Sequence, residues 1–142
     1  MILSQTAEYA LRTVAFLARR GDAPVRIDEI ATALALPRNY LSKILYRLAQ
    51  AGLLVSSRGR GGGFRLARPA DQLRLLDVIT LFDQVGPERR CLLGREACND
   101  RNPCEAHASW KEVAVRVAAY FSGTTVADLA ASPGGRTRPV SR

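Results

Sequence analysis

Between Glu29 and Asp71 the chain carries no acidic residue at all, although Arg38, Lys43, Arg47, Arg58, Arg60, Arg65 and Arg68 fall in that interval. A polyanion meets little repulsion on such a surface, and nucleic acid is the commonest polyanionic partner. A protein–protein adaptor without nucleic-acid activity gives no account of the gap. Cysteine is likewise missing everywhere except at Cys91, Cys98 and Cys104. An odd, local set of thiols argues against a disulfide framework and for metal binding or redox chemistry. Long apolar runs are lacking too: no stretch approaches the ~18 residues of a membrane span. The start, Met1-Ile2-Leu3-Ser4 with Glu8 soon after, has no basic region and no small-residue cleavage site, so no secretory signal is expected. A cytoplasmic protein is the expectation.

The charge that is present is unevenly placed. Of the net +8, residues 1–70 hold 11 Lys/Arg against 4 Asp/Glu, whereas residues 71–142 hold 10 against 9. A solvated basic face is the plain alternative to a binding surface. Periodicity gives the interval an architecture. Ser4 to Arg20 has helical spacing, with Tyr9, Thr13, Phe16 and Leu17 on one side and Gly21-Asp22 as the stop. Arg26 to Leu34 repeats Ile27, Ile30, Ala31 and Leu34 at threes and fours, and Ala35-Leu36-Pro37 is a short turn into a third helix. Two helices joined by a tight turn form a helix-turn-helix.

In the third helix Tyr40, Leu41, Ile44, Leu45 and Leu48 make the apolar stripe. Arg38, Asn39, Ser42, Lys43 and Arg47 are left facing outward, where they could contact phosphates and base edges. Leu53-Leu54-Val55 and Phe64-Arg65-Leu66 read as two short strands around Ser56-Ser57-Arg58-Gly59-Arg60-Gly61-Gly62-Gly63, a glycine-rich hairpin with arginines at its tip. These glycines lack the Lys-Ser/Thr of a P-loop and the strand-before, helix-after setting of a dinucleotide site. As a wing they fit: Gly61 and Gly62 let the backbone approach a phosphate, and Arg58, Arg60 and Arg65 could reach the backbone or a narrow minor groove. The alternative is a purely structural hairpin.

Leu75, Val78, Ile79 and Phe82 predict a fourth helix ending near Gly86-Pro87. The cysteines follow, with the only histidine, His107, just beyond the last. Sulfur and imidazole donors suit a metal ion or an iron–sulfur cluster. Asn102 as N-cap, Pro103 at the first position and Glu105 three after the cap predict a helix start there. That start puts Cys104 and His107 on one face of the first turn, where the helix terminus favours a thiolate. Trp110, Val113, Ala114, Val117 and Phe121 continue it as a long apolar stripe, suited to a second subunit or, alternatively, to the monomer's own core. A short terminal helix is expected over Val126 to Ala131, then a polar tail that is expected to be disordered.

The reading is therefore a mainly α chain: a winged helix-turn-helix over residues 1–86, a cysteine loop and long dimerisation helix over 87–131, and a basic tail over 132–142. Three cysteines and a histidine also make an ordinary structural zinc set. A metal-free thiol switch is a further alternative. An enzyme with Cys104 as nucleophile and His107 as base is disfavoured, since no third orienting group is evident.

The helix order, Tyr9-Ala10-Leu11-Arg12, the wing Arg58-Gly59-Arg60-Gly61-Gly62-Gly63-Phe64, and Cys91, Cys98 and Cys104 before the long helix resemble the Rrf-two family of bacterial transcription regulators, which includes IscR-like and NsrR-like iron–sulfur sensors. The likeness runs from about Ile2 to Ala131. It implies a homodimer that grips a partly palindromic promoter DNA site, controlled by a cluster sensing iron–sulfur status, redox stress or nitric oxide. Cys104-Glu105-Ala106-His107-Ala108-Ser109-Trp110 is most similar to the IscR pattern, which implies His107 as the fourth ligand of a two-iron two-sulfur cluster. The Cys91–Cys98 gap is one residue longer than in that pattern, so a four-iron four-sulfur cluster stays as the alternative. Glu8 matches the acidic ligand that NsrR-like members offer from the partner subunit, and is the alternative fourth ligand.

Overall fold

The computed structural model describes residues 2–86 and 89–132. The first helix, α1, spans Gln5–Arg20; the Ser4 hydroxyl caps it by accepting the Ala7 N–H at 3.2 Å, and Gly21, at φ 71°, ends it. Ala7, Tyr9, Ala10, Thr13, Val14, Ala15 and Leu17 are buried, while Phe16 is half-buried. Helix α2 (Ile27–Leu34) and helix α3 (Arg38–Gln50) are joined by Ala35, Leu36 and Pro37. Ala35 takes the left-handed conformation at φ 52°, and the buried Leu36 beside it anchors the turn. Arg12 explains part of the α1 motif: its guanidinium donates to the Leu34 carbonyl at 2.7 Å, placing a cation on the negative end of α2. Leu41, Ile44, Leu45 and Leu48 of α3 are buried, as their spacing predicts, and Tyr40 is half-buried.

Strands β1 (Leu54–Ser57) and β2 (Gly63–Leu66) form an antiparallel hairpin with Leu54 opposite Leu66 and Ser57 opposite Gly63. Val25, just before α2, adds a bridge to Phe64, its N–H donating to the Phe64 carbonyl at 2.9 Å and its carbonyl accepting the Phe64 N–H at 2.8 Å. The wing is thus tied to the helix-turn-helix and does not hang free. A 3-10 turn (Ala70–Gln72) leads into helix α4, which spans only Leu75–Ile79. The helix expected to run to Gly86-Pro87 stops early. The Thr80 hydroxyl donates to the Leu76 carbonyl, and Leu81 and Phe82 bond back three residues instead of four, so the chain tightens into a turn. Pro87 lies outside the described residues.

Helix α5 spans His107–Gly123 and helix α6 spans Val126–Ala131. The expected start of α5 at Asn102 is corrected. Asn102 closes a turn with Asn99, whose side-chain oxygen accepts the N–H groups of both Arg101 and Asn102, so Cys104 precedes the helix. The start of α6 matches its expectation, with Thr125 and Asp128 capping each other reciprocally. Helix α6 packs back on the first half of the fold: Arg19 of α1 donates to the Ala130 carbonyl at 3.1 Å, the Val126 N–H donates to the Leu73 carbonyl at 2.8 Å, and Phe121 and Val126 join the core formed by α1, α3 and α4. The apolar stripe of α5 divides. Ala114 and Phe121 are buried in the chain's own core and Val117 packs against it, whereas Val113 is exposed, as are Val115 and Tyr120 outside the expected stripe. Among the described residues no helix is long and apolar enough to cross a membrane. The expected tail from Pro133 onward lies outside the described residues.

Candidate metal centre and nucleic-acid face

The segment 91–107 folds back on itself so that its three thiols meet. The sulfurs of Cys91, Cys98 and Cys104 all lie within 4.8 Å of one another, with Cys91 Sγ and Cys104 Sγ 3.6 Å apart. Two turns make this closure. The Gly94 N–H donates to the Cys91 carbonyl at 3.1 Å, with Gly94 at φ 75°, and the Asn99–Asn102 turn is held further by Asn102 Nδ2 donating to the Ala97 carbonyl at 3.2 Å. His107, at the first position of α5, directs Nδ1 to within 3.2 Å of Cys98 Sγ. The four side chains line a cavity of about 140 Å³ together with Arg89, Asp100, Trp110 and Lys111. Trp110 Nε1 donates to the Arg90 carbonyl at 3.3 Å, bracing the loop's entry against α5. Neither His107 nor Glu8 belongs to the group whose ligand atoms all lie within 4.8 Å of one another; His107 reaches it through Cys98, and Glu8 is an exposed residue of α1.

The electrostatics reverse one expectation. Cys104 does not sit on a helix N-terminus, and burial pushes its thiol up. Cys91 is the thiol whose charge is favoured: the Arg95 backbone N–H, and after it that of Leu93, hold its pKa down at about 7. Asp100, absent from the expected site, is drawn in by hydrogen bonds from Lys111 and then His107, which lower its carboxyl to about 2. His107 and Lys111 stand one helical turn apart and so reach one acceptor, but which acceptor depends on the Asn99–Asn102 turn that carries Asp100.

The start of α3 meets the wing: Arg38 lines one shallow cavity with Ser57, Gly59 and Gly62. Arg38, Asn39, Ser42, Lys43 and Arg47 of α3 are exposed, as are Arg58, Arg60 and Gly61 on the wing. Gly62 is buried under the turn, where a side chain would meet the Ser57 carbonyl oxygen at 2.5 Å. Arg65 is half-buried, its guanidinium donating to the Leu66 carbonyl at 3.3 Å. Two outward cations are already engaged: Arg38 Nε donates to Asp28 Oδ1 at 2.6 Å, and the Arg47 guanidinium lies 5.3 Å from the centre of the Phe82 ring. Tyr46, 66% exposed on the same helix, was missed by the sequence reading because an aromatic at that spacing carries no charge signal.

Known proteins share both the sequence and the fold. An Aquifex aeolicus protein named "putative HTH-type transcriptional regulator" is 37% identical over the whole of both chains. IscR of Sodalis glossinidius is 32% identical across 91% of this chain and 78% of its own. Among solved structures, CymR, the global cysteine regulator of B. subtilis, superposes with a TM-score of 0.76 at 27% identity, covering 92% of this chain and 96% of that one. IscR of T. potens gives 0.72 at 25% identity, covering 95% and 94%. These relatives are named as transcriptional regulators, not enzymes. A family model described as an iron-dependent transcriptional regulator matches residues 3–132, nearly the whole described fold, and the chain belongs to that family, Rrf2.

Proposed function

We propose that the chain is a cytoplasmic, homodimeric regulator whose grip on promoter DNA is set by an iron–sulfur cluster held by Cys91, Cys98, Cys104 and His107. One observation carries the reading: three sulfurs and an imidazole nitrogen from a single short segment converge on one small cavity. The donor set fits the group. Imidazole replaces part of the thiolate set in Rieske-type centres, here at one position instead of two; a two-iron two-sulfur cluster is the favoured occupant, and IscR relatives support it. Zinc fits the same donors, so metal content is the first thing to measure.

Residues 1–86 supply the DNA-binding region and 87–131 the sensor and dimer helix. Arg38, Asn39, Ser42, Lys43 and Arg47 enter the major groove in this reading, while Arg58, Arg60, Gly61, Gly62 and Arg65 place the wing on phosphates or the minor groove. A bound cluster supplies a centre that iron limitation, oxidants or nitric oxide can alter. The protein's own part is to connect that loop to the reading helix. Trp110 ties α5 to Arg90, Arg89 donates to the His107 carbonyl at 3.5 Å, and Phe82, a few residues upstream, supports Arg47. The exposed Val113, Val115 and Tyr120 of α5 give the second subunit its surface.

The test is purification without oxygen, with iron, zinc and sulfide quantified and the absorption spectrum recorded before and after nitric oxide or peroxide. Iron and sulfide in comparable amounts, with a spectrum lost in the His107→Ala protein, are expected. Zinc alone would replace the sensor by a static strut, and an unchanged cluster in His107→Ala would move the fourth position to another donor such as Glu8. Duplex binding should weaken steeply with salt, and removing Arg58 and Arg60 should weaken it across sequences.

A further inference from the structure

The imidazole that faces the cysteines is gripped from its other side. His107 Nε2 lies 2.8 Å from Asp100 Oδ1, while Nδ1 lies 3.2 Å from Cys98 Sγ. An ionised carboxylate only accepts hydrogen bonds, so the Nε2 it touches carries the proton. In a neutral ring the other nitrogen then presents its lone pair, and that nitrogen is the one on the cysteine side. Asp100 is itself fixed. Lys111 Nζ donates to both carboxylate oxygens, at 2.9 and 2.8 Å, and the Asn99 side chain shapes the turn that carries Asp100. The contact spans two environments, with the His107 side chain only 13% exposed and that of Asp100 69% exposed.

We propose that Asp100 is a positioning residue for the metal centre: by holding His107 through Nε2–H it fixes the tautomer and ring orientation that leave Nδ1 free to act as the donor beside the three sulfurs. The inference rests on the reading of His107 as fourth ligand and extends it to a residue that touches no metal. A carboxylate behind a ligating histidine raises the ring's basicity and restricts its rotation, and loss of such a partner typically lowers metal affinity about 10- to 100-fold. Lys111 sits one turn along α5 from His107, so the helix sets the spacing of both groups on the one carboxylate.

His107 is the only histidine in the chain, so its ring nitrogens can be assigned without ambiguity in nitrogen-15 labelled protein. In the full-length protein freed of metal by chelation, at a pH where the ring is neutral, NMR should show the Nε2–H form. Asp100→Asn, whose amide oxygen still accepts, should keep that form, and Asp100→Ala should give a mixture of tautomers. In anaerobically purified protein, Asp100→Ala should lose its cluster to a chelator about tenfold faster than wild type, with Asp100→Asn in between. A wild-type ring protonated at Nδ1, or a tautomer unmoved in Asp100→Ala, overturns the proposal. So does equal cluster loss in Lys111→Met and Asp100→Ala with the tautomer unchanged, since that is the behaviour of a plain surface ion pair. His107→Ala separates the two layers: a wild-type spectrum in that protein rejects the ligand assignment, whereas an altered one with Asp100→Ala indistinguishable from wild type rejects only the role of Asp100.

Discussion

Cys91 and Cys104 hold their sulfurs 3.6 Å apart across thirteen positions of chain, yet the two thiols are opposite in character. Backbone N–H groups of Arg95 and Leu93 lower Cys91 to about 7, whereas burial raises Cys104. One is a ready thiolate and the other a shielded thiol.

Differential alkylation of metal-free protein follows from this asymmetry. Because the Cys91 pKa is lowered, its thiolate is populated from about pH 7 upward, and its iodoacetamide rate should climb through that pH and level off well below the range of an ordinary thiol. Cys104 should be modified last at every pH. Peptide mass spectrometry over a pH series reads both; preferential labelling of Cys104 near neutrality would reverse the assignment.

The wing offers a steric prediction. Gly63 stands at φ 147° with its α-carbon against Val25, and an added Cβ would lie 2.5 Å from both the Val25 carbonyl carbon and its oxygen. Gly59, at φ 85°, has open space around it. Gly59→Ala should therefore cost about 1 kcal/mol through backbone strain alone, while Gly63→Ala should cost at least about 2 kcal/mol and loosen the bridge to Val25. Thermal melts of the two proteins decide it, and equal losses would mean the close approach is not maintained in solution.

These glycines also show how much the sequence disclosed. The helices were legible because Ile27, Ile30, Leu41, Ile44, Leu45 and Leu48 repeat at helical spacing and are half-buried or buried, and the hairpin because glycines separate two short apolar runs. The group of three thiols was legible because cysteine occurs nowhere else. What failed was local competition. Asn102 and Pro103 look like a helix start, but the Asn99 side chain takes the Asn102 N–H that Glu105 would accept in a capping box, together with that of Arg101, and no periodic signal ranks those two outcomes. The reach of Asp100 to His107 depends on that turn, so it was invisible until the turn was known. The stripe on α5 divided for a different reason: spacing shows that a helix has an apolar side, not whether its own core or another chain covers each residue.

That division gives the third prediction. Val113 and Tyr120 are 47% and 59% exposed, outside the core that takes Ala114 and Phe121. Val113→Asp should leave the monomer's melting temperature within a few degrees of wild type, because Val113 lies outside the core, whereas Tyr120→Asp should cost somewhat more through loss of its edge contact with the Phe121 ring, 5.7 Å between centroids. Each should shift the protein from dimer to monomer in light scattering, since a carboxylate buried without a partner across an interface costs several kcal/mol. An unaltered dimer in both would move the subunit contact elsewhere.

Asp28 supplies the last. Its carboxylate holds Arg38 at 2.6 Å on the first turn of α3, where the cation would otherwise be available to a phosphate. Both side chains are largely exposed, 59% for Arg38 and 69% for Asp28, so the pair contributes little to folding and its removal should barely change the melt. For DNA the balance differs, because Asp28 occupies the Arg38 guanidinium in place of a phosphate. Asp28→Asn should therefore tighten binding to any duplex, by about fivefold at low salt, as an electrostatic effect without sequence preference. Since the Debye length shrinks to about 3 Å at 1 M, the gain should fade as salt rises. Arg38→Ala should weaken binding in wild type and erase the benefit of Asp28→Asn in the double variant, because the benefit is the release of that guanidinium. Fluorescence anisotropy with two unrelated duplexes over a salt series measures all three proteins; a gain that persists at high salt, or that survives without Arg38, would assign the effect to something other than this ion pair.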